Sequence, residues 1–405
     1  MNIREITSGI YYTGVNDRVT DKFEGMWPLP YGVSYNAYLV RGSKATALMD
    51  TVEITEVHEY LDAVERTLQG STPDYLVVHH MEPDHSGSIP EVVRRWPDLK
   101  IVGNAQTVGM IKGFYHVDDD SRFVIVKDGD TIDLGDMTLL FRLTPMVHWP
   151  ETMMTYVAER GVLFSGDAFG CFGALNGGLI DTELDTTVYR DEMYRYYSNI
   201  VGKYGRFVQQ AMQKLSGVTP EFICTTHGPV WHEKIAEVMG IYDRLSRYEG
   251  EDGVTIIYGS MYGNTAEVAE EIARGLAEAG VKNIRIHNAS HSDMSYMISD
   301  AFRYKGLIVG SATYSMTLFP PVRALLTALQ VREVKNKVFA GFGSYTWAAN
   351  VVKKEMEDFC AAAGLEMQGF VMMKQGIDED VRNAARALAA EVAAKLNSRL
   401  NIYDT

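Results

Sequence analysis

The chain has 405 residues, 46% hydrophobic and 22% charged, with a formal net charge of −15. This is a globular composition, it excludes a disordered chain, and it is too long for one ordinary core, so two domains are expected. The acidic residues concentrate early: residues 1–253 hold 22 basic and 37 acidic residues, residues 254–405 hold 16 of each, and long-range attraction to nucleic acid or anionic membranes is excluded.

From residue 9 to about 170 short strands dominate. Tyr35–Val40 and Ala45–Asp50 read as a hairpin around Gly42, residues 55–69 have helical periodicity, and Tyr75–Val78 is a buried strand followed by a helix near 88–95. Further strands are expected at Thr138–Thr144, Met153–Ala158 and Val162–Ser165. A long tyrosine-rich helix is expected around 188–214, then the strand Phe222–Thr226 and a helix over 233–248. The polar, glycine-bearing stretch Glu249–Gly253 marks a boundary between a domain of residues 1–250 and one of residues 254–405. Beyond it strands at 254–258, 283–287, 306–311, 337–342 and 367–373 alternate with helices near 265–279, 293–302, 320–329, 348–363 and 378–397. That alternation implies a doubly wound, five-stranded parallel sheet, whose ligands sit at the carboxyl ends of the strands.

No window has the apolar run of a membrane helix, and Met1–Ile6 carries no signal segment. The cysteines, Cys171, Cys224 and Cys360, form no disulfide framework and no CxxC pair, which fits a reducing cytoplasm.

The sharpest local signal is His79-His80-Met81-Glu82-Pro83-Asp84-His85-Ser86-Gly87, in the loop leaving a buried strand. His80, Glu82, Asp84 and His85 can each offer a lone pair to a metal. His148, Asp167 and His227 also sit at strand ends before small or turn residues, which places all seven on one rim. A lone histidine at a strand end is usually a hydrogen-bonded or exposed residue. Four donors within six residues, plus three more at strand ends, are hard to explain as turn chemistry.

This loop resembles that of the metallo-β-lactamase fold, His-x-His-x-Asp-His, with Glu82 at the second histidine position. The replacement and the later spacing resemble the flavodiiron family: 62 residues separate His85 from His148, 18 separate His148 from Asp167, and 59 separate Asp167 from His227. The resemblance implies a metallo-β-lactamase-like αββα sandwich. It further implies one iron on His80, Glu82 and His148, a second on Asp84, His85 and His227, and Asp167 bridging them. Four imidazoles and three carboxylates suit two irons better than zinc, and manganese remains open by ligand type.

The second domain opens with a strand running through Gly259-Ser260-Met261-Tyr262-Gly263-Asn264-Thr265 into a helix. Such a turn is an anion site, and the absence of a Walker lysine argues against a triphosphate. Ala312, Thr313, Tyr314 and Ser315 follow the third strand, and Ser344, Tyr345, Thr346 and Trp347 follow the fourth. Both sets are small, polar and aromatic, which suits a flat ring, while Tyr314 and Trp347 could also be core aromatics at an exposed rim. The resemblance is to flavodoxin, with Tyr262 where the phosphate loop usually carries threonine, and it implies FMN.

Together the two resemblances cover essentially the whole chain and imply a flavodiiron oxidoreductase. It would reduce dioxygen to water or nitric oxide to nitrous oxide at two irons fed through FMN. Tyr196 or Tyr197 could supply a proton or hydrogen bond, while Phe23-Glu24-Gly25-Met26-Trp27-Pro28 lacks the histidine that many family members place there. The chain ends at Thr405 without a rubredoxin-like tail, so an external donor is expected, a rubredoxin or, alternatively, a reduced deazaflavin. The family also implies a head-to-tail homodimer, or a dimer of dimers. The rival from another enzyme class is a zinc hydrolase fused to a flavodoxin-like module.

Overall fold

The structure is a computed structural model that describes residues 4–400. The chain divides into two compact units, residues 1–196 with 204–243, and residues 197–203 with 244–405.

The first unit is built on two mixed sheets. One runs in the order Arg4–Thr7, Ile10–Tyr12, Tyr38–Arg41, Thr46–Met49, Tyr75–Val77, Lys100–Gly103, Phe123–Ile125, and its last four strands are parallel. The other holds Thr131–Asp133, Thr138–Leu143, Met153–Val157, Val162–Gly166 and Phe222–Thr225, the last pair parallel. The expected hairpin around Gly42 is present, with Tyr38 opposite Met49 and Arg41 opposite Thr46. Its first strand is shorter than expected, because Val33–Tyr35 pairs separately with Val15–Asp17. The two sheets meet through buried rings and hydrogen bonds. Tyr38 packs on Phe164 at 5.4 Å between ring centroids, and its hydroxyl donates to the Thr225 carbonyl. Two packed mixed sheets are what the expected αββα sandwich has at its centre.

Two expectations are corrected. The single helix around 188–214 is an α-helix over Thr187–Tyr196, a π-helical turn over Tyr197–Val201, a 3-10 turn over Gly202–Tyr204 and a second α-helix over Gly205–Lys214. Gly202 and Gly205 sit at the junctions, where their low helix propensity weakens regular continuation. The strand-dominated stretch also contains a helix, Ala105–Tyr115, capped by Asn104, whose side chain accepts from the amides of Gln106 and Thr107. Gly109 and Gly113 disguise it in the sequence.

The second unit is a parallel sheet in the order Ile284–Asn288, Glu251–Gly259, Tyr304–Tyr314, Val338–Tyr345, Met367–Lys374, with a short antiparallel extension at Thr317–Leu318. Its first strand begins at Glu251, inside the polar stretch read as a linker. The pairs Arg303–Glu251 and Lys305–Asp252 hold that segment. Val254, Ile256, Ile308, Ala340 and Phe342 are buried on strands that read as continuous apolar runs, as a sheet covered on both faces requires. Against them the helix Asn264–Glu278 packs Val268, Ile272 and Leu276 at four-residue spacing, and the helix Glu379–Leu400 packs Ala385, Ala389 and Val392.

Candidate metal centre and flavin site

The seven donors converge. His80, Glu82, His148 and Asp167 bring ligand atoms within 4.8 Å of one another, and so do Asp84, His85 and His227; all seven residues are buried. Asp167 faces both groups. Its Oδ2 lies 3.1 Å from His148 Nε2 and 3.5 Å from His80 Nε2, and its Oδ1 lies 2.9 Å from His85 Nε2 and 3.9 Å from His227 Nε2. Glu82 Oε2 is 3.1 Å from His148 Nε2 and 3.2 Å from His80 Nε2.

Local structure aims each donor. The loop from Val77 to the helix Ile89–Arg95 is tied at both ends by the residues after Met49. The Asp50 carboxylate accepts from the His79 amide at 2.7 Å, and the Thr51 amide donates to the His85 carbonyl at 3.0 Å. The pairing register shifts between Phe164 and Gly166, where Gly166 takes a φ of +58°, and the chain turns Asp167 inward. His227 is held by the segment before Tyr38. Its Nδ1 lies 2.8 Å from the Ser34 carbonyl, and Asn36 Nδ2 donates to the carbonyls of Thr225 and Gly228.

The electrostatics require positive charge at the rim, as protons or as metal cations. Burial disfavours the charged imidazoles, but neighbouring carboxylates outweigh it: His85 and His148 are raised to about 9, and His80 well above its ordinary value. Burial likewise opposes ionised Asp167 and Glu82, yet the imidazoles hold both well below the usual carboxylate range. Asp84 Oδ2 lies 3.2 Å from His85 Nε2 and 3.1 Å from His227 Nε2, but neither Asp84 oxygen has an aligned hydrogen bond. The Nε2 atoms of His85 and His227 point at each other at 3.0 Å. Close donors without hydrogen-bond alignment are what a shared cation explains, and the oxygen–nitrogen set without sulfur fits iron.

Several residues near the centre gave no signal in the sequence. Glu151 Oε1 lies 2.8 Å from His80 Nδ1, from an element 71 residues away. Glu24 stands at the mouth of a 400 Å³ cavity that Phe23, Tyr35, Glu53, Glu82 and Asp84 also line. Glu24 is an exposed residue, but partial burial of its carboxyl and the nearby Glu82 push it up, to about 7. Of the two tyrosines considered, Tyr196 is at the site, its ring 5.6 Å from that of His227 and its buried hydroxyl without a partner. Tyr197 belongs to the second unit, beside Tyr248 and Ser246.

In the second unit a 370 Å³ cavity lies at the carboxyl ends of the strands, within the range of ligand pockets. Ser260, Met261, Tyr262, Asn264, Thr265, Ala312, Thr313, Ser344, Tyr345 and Thr346 line it, together with Gln375 and Gly376, which the sequence reading missed. Gly263 caps the helix with a φ of +99°, and its amide donates to Ser260 Oγ at 3.1 Å. Thr265 Oγ1 lies 2.8 Å from Ser344 Oγ. Gly263, Tyr314, Ser315 and Trp347 are not in the lining. Tyr314 and Trp347 are 45% and 72% exposed on the same loops, open to stack on a planar ring.

The ODP family beta lactamase pattern matches residues 33–228, and the flavodoxin pattern matches residues 256–395. An anaerobic nitric oxide reductase flavorubredoxin from Escherichia coli is 32% identical over 393 residues, 96% of this chain and 81% of the relative. The solved rubredoxin oxygen:oxidoreductase of Desulfovibrio gigas superposes with a TM-score of 0.92 at 27% identity, covering 98% of this chain and 100% of that one. A flavo di-iron protein variant from Thermotoga maritima superposes with a TM-score of 0.87 at 26% identity, covering 97% and 98%.

Proposed function

The chain belongs to the flavodiiron protein family, and on that premise we propose that this oxidoreductase reduces dioxygen to water or nitric oxide to nitrous oxide. The observation that carries the reading is the convergence of seven oxygen and nitrogen donors on one rim, with Asp167 between the two groups. His80, Glu82 and His148 would hold one iron, Asp84, His85 and His227 the other, and Asp167 would bridge. FMN supplies one- and two-electron redox chemistry, and the irons supply gas binding and reduction.

The chain's own residues do the rest. Ser260, Gly263, Asn264 and Thr265, at a helix N-terminus, suit the flavin phosphate. Phe23, Tyr35, Phe172 and Tyr196 wall the second donor group with rings, which keeps bulk water away from His227. The Tyr196 hydroxyl is buried without a partner and can donate a hydrogen bond into the centre.

Electrons come from an external donor, a rubredoxin in this reading. Each flavin serves the partner's metal centre in a head-to-tail homodimer. Exposed Met261, Tyr262, Met316 and Trp347 around the flavin loops, and exposed Val19, Met26 and Ile54 beside the residues lining the metal cavity, support two apolar rims that meet across copies. Among the described residues no helix is long and apolar enough to cross a membrane; the three free cysteines suit a reducing, cytoplasmic place. Metal and flavin analysis of purified protein tests the reading: about two irons and one FMN per chain are expected, by donor count and one phosphate site. Zinc without iron would point instead to the hydrolase.

A further inference from the structure

We propose that Glu151, acting through His80, strengthens one of the two metal positions and leaves the other unaffected. The inference rests on the two-group ligand assignment above.

Glu151 is fully buried, and its environment directs its charge at one imidazole. Its Oε1 accepts from His80 Nδ1 and from the Met81 amide, both at 2.8 Å. Its backbone carbonyl is held by Asn104 Nδ2 at 2.6 Å, and Asn104 is itself fixed as a helix cap. Its Oε2 has no partner, and among the described residues its one ion-pair partner is His80. Among the described residues no arginine or lysine pairs with it.

The hydrogen bond assigns the Nδ1 proton of His80 and leaves the Nε2 lone pair facing Glu82 and Asp167. A charged acceptor makes a bond roughly twice as strong as a neutral one and raises the basicity of the ligating nitrogen. The other group has no counterpart. His227 Nδ1 donates to the neutral carbonyl of Ser34, and His85 Nδ1 is buried without a partner. The carboxylate therefore enriches the His80 side of the centre. That side binds its iron more tightly and favours its oxidised form.

Glu151 could instead matter only as a tie for the loop, through the Met81 amide. Glu151→Gln separates the two roles, because the amide oxygen still accepts both N–H groups while the charge is gone. The test uses the full chain, loaded anaerobically with isotopically enriched iron and titrated with a chelator. Released iron and the Mössbauer spectrum are followed together. In Glu151→Gln one iron per chain should leave at roughly 10–100-fold lower chelator concentration than in the parent, by the usual effect of a lost outer partner. The second iron should leave as before, and only one of the two iron spectra should change. Glu151→Asp, with the charge on a shorter arm, should recover part of the loss. If Glu151→Gln does not fold, Glu151→Asp carries the test alone, through the same selective weakening. Equal weakening of both irons, or none, would overturn the proposal. A parent protein that binds fewer than two irons would instead overturn the ligand assignment, so the two failures are distinguishable.

Discussion

Removing the Asp167 carboxylate should strip both metal positions at once. Oδ2 lies 3.1 Å from His148 Nε2, and Oδ1 lies 2.9 Å from His85 Nε2, so Asp167→Ala takes one donor from each group. Losing a partner one bond removed from a metal ligand already costs 10–100-fold in affinity. A lost ligand should cost each iron at least about 100-fold, or about 2.8 kcal/mol. The substitution also leaves the buried Thr226 hydroxyl, which donates to Oδ1 at 2.5 Å, without its acceptor, a further cost of about 1–3 kcal/mol in stability. His148→Ala and His227→Ala each touch one group and should each spare the other iron. The assay is iron per chain after anaerobic loading and desalting, with flavin content as the internal reference. Asp167→Ala that keeps both irons, or His148→Ala that loses both, would refute the division of the centre.

Four further outcomes follow from the geometry. Metal entry should release protons near pH 7, because His85 and His148 are raised to about 9 in the metal-free chain. The metal requires the neutral imidazole, so affinity should climb as pH rises from 7 to about 9; titration in weak buffer checks this, and a pH-independent affinity would count against it. Gly263→Val should release the flavin, and the cause is conformational: a Cβ there meets no atom within 4 Å, but the φ of +99° is costly for a branched residue, by about 1–2 kcal/mol. Flavin absorbance after gel filtration reads the result. Tyr196→Phe should keep both irons and lower turnover if the hydroxyl hydrogen-bonds at the centre, whereas unchanged turnover with both gases would remove that role. A mixed dimer, with His148→Ala and Asp167→Ala in one copy and Gly263→Val in the other, should retain about half the activity, since two-fold symmetry leaves one intact pair; an inactive mixed dimer with the expected cofactors would contradict electron transfer between copies.

What could be read from the sequence follows from how far apart the cooperating residues lie. His80, Glu82, Asp84 and His85 share one loop, and Asp167 and His227 follow strand ends; His148, read from the sequence as a strand-end residue, lies mid-loop between Leu143 and Met153. Their supports carried no such signal. Ser34, Asn36, Asp50 and Glu151 reach the centre from elements distant in the chain, and nothing local marks a buried serine carbonyl or a lone glutamate as a partner of a histidine. The parallel sheet of the second unit was legible because its three central strands are largely apolar runs and strands alternate with helices along the chain. The break at Tyr197–Val201 was not, since a π turn has the composition of an α-helix. On the flavin loops, polar and aromatic composition pointed to the right strand ends, but only the fold shows that Gln375 and Gly376 close the cavity while Tyr314 and Trp347 stand outside its lining.

The most direct test of the account is a single-turnover experiment on protein carrying both cofactors, reduced without oxygen and mixed rapidly with dioxygen or with nitric oxide. Reoxidation of iron and flavin, with water formed from dioxygen or nitrous oxide from nitric oxide, is expected for at least one gas. Fully loaded, reduced protein that stays reduced in the presence of both would contradict the account.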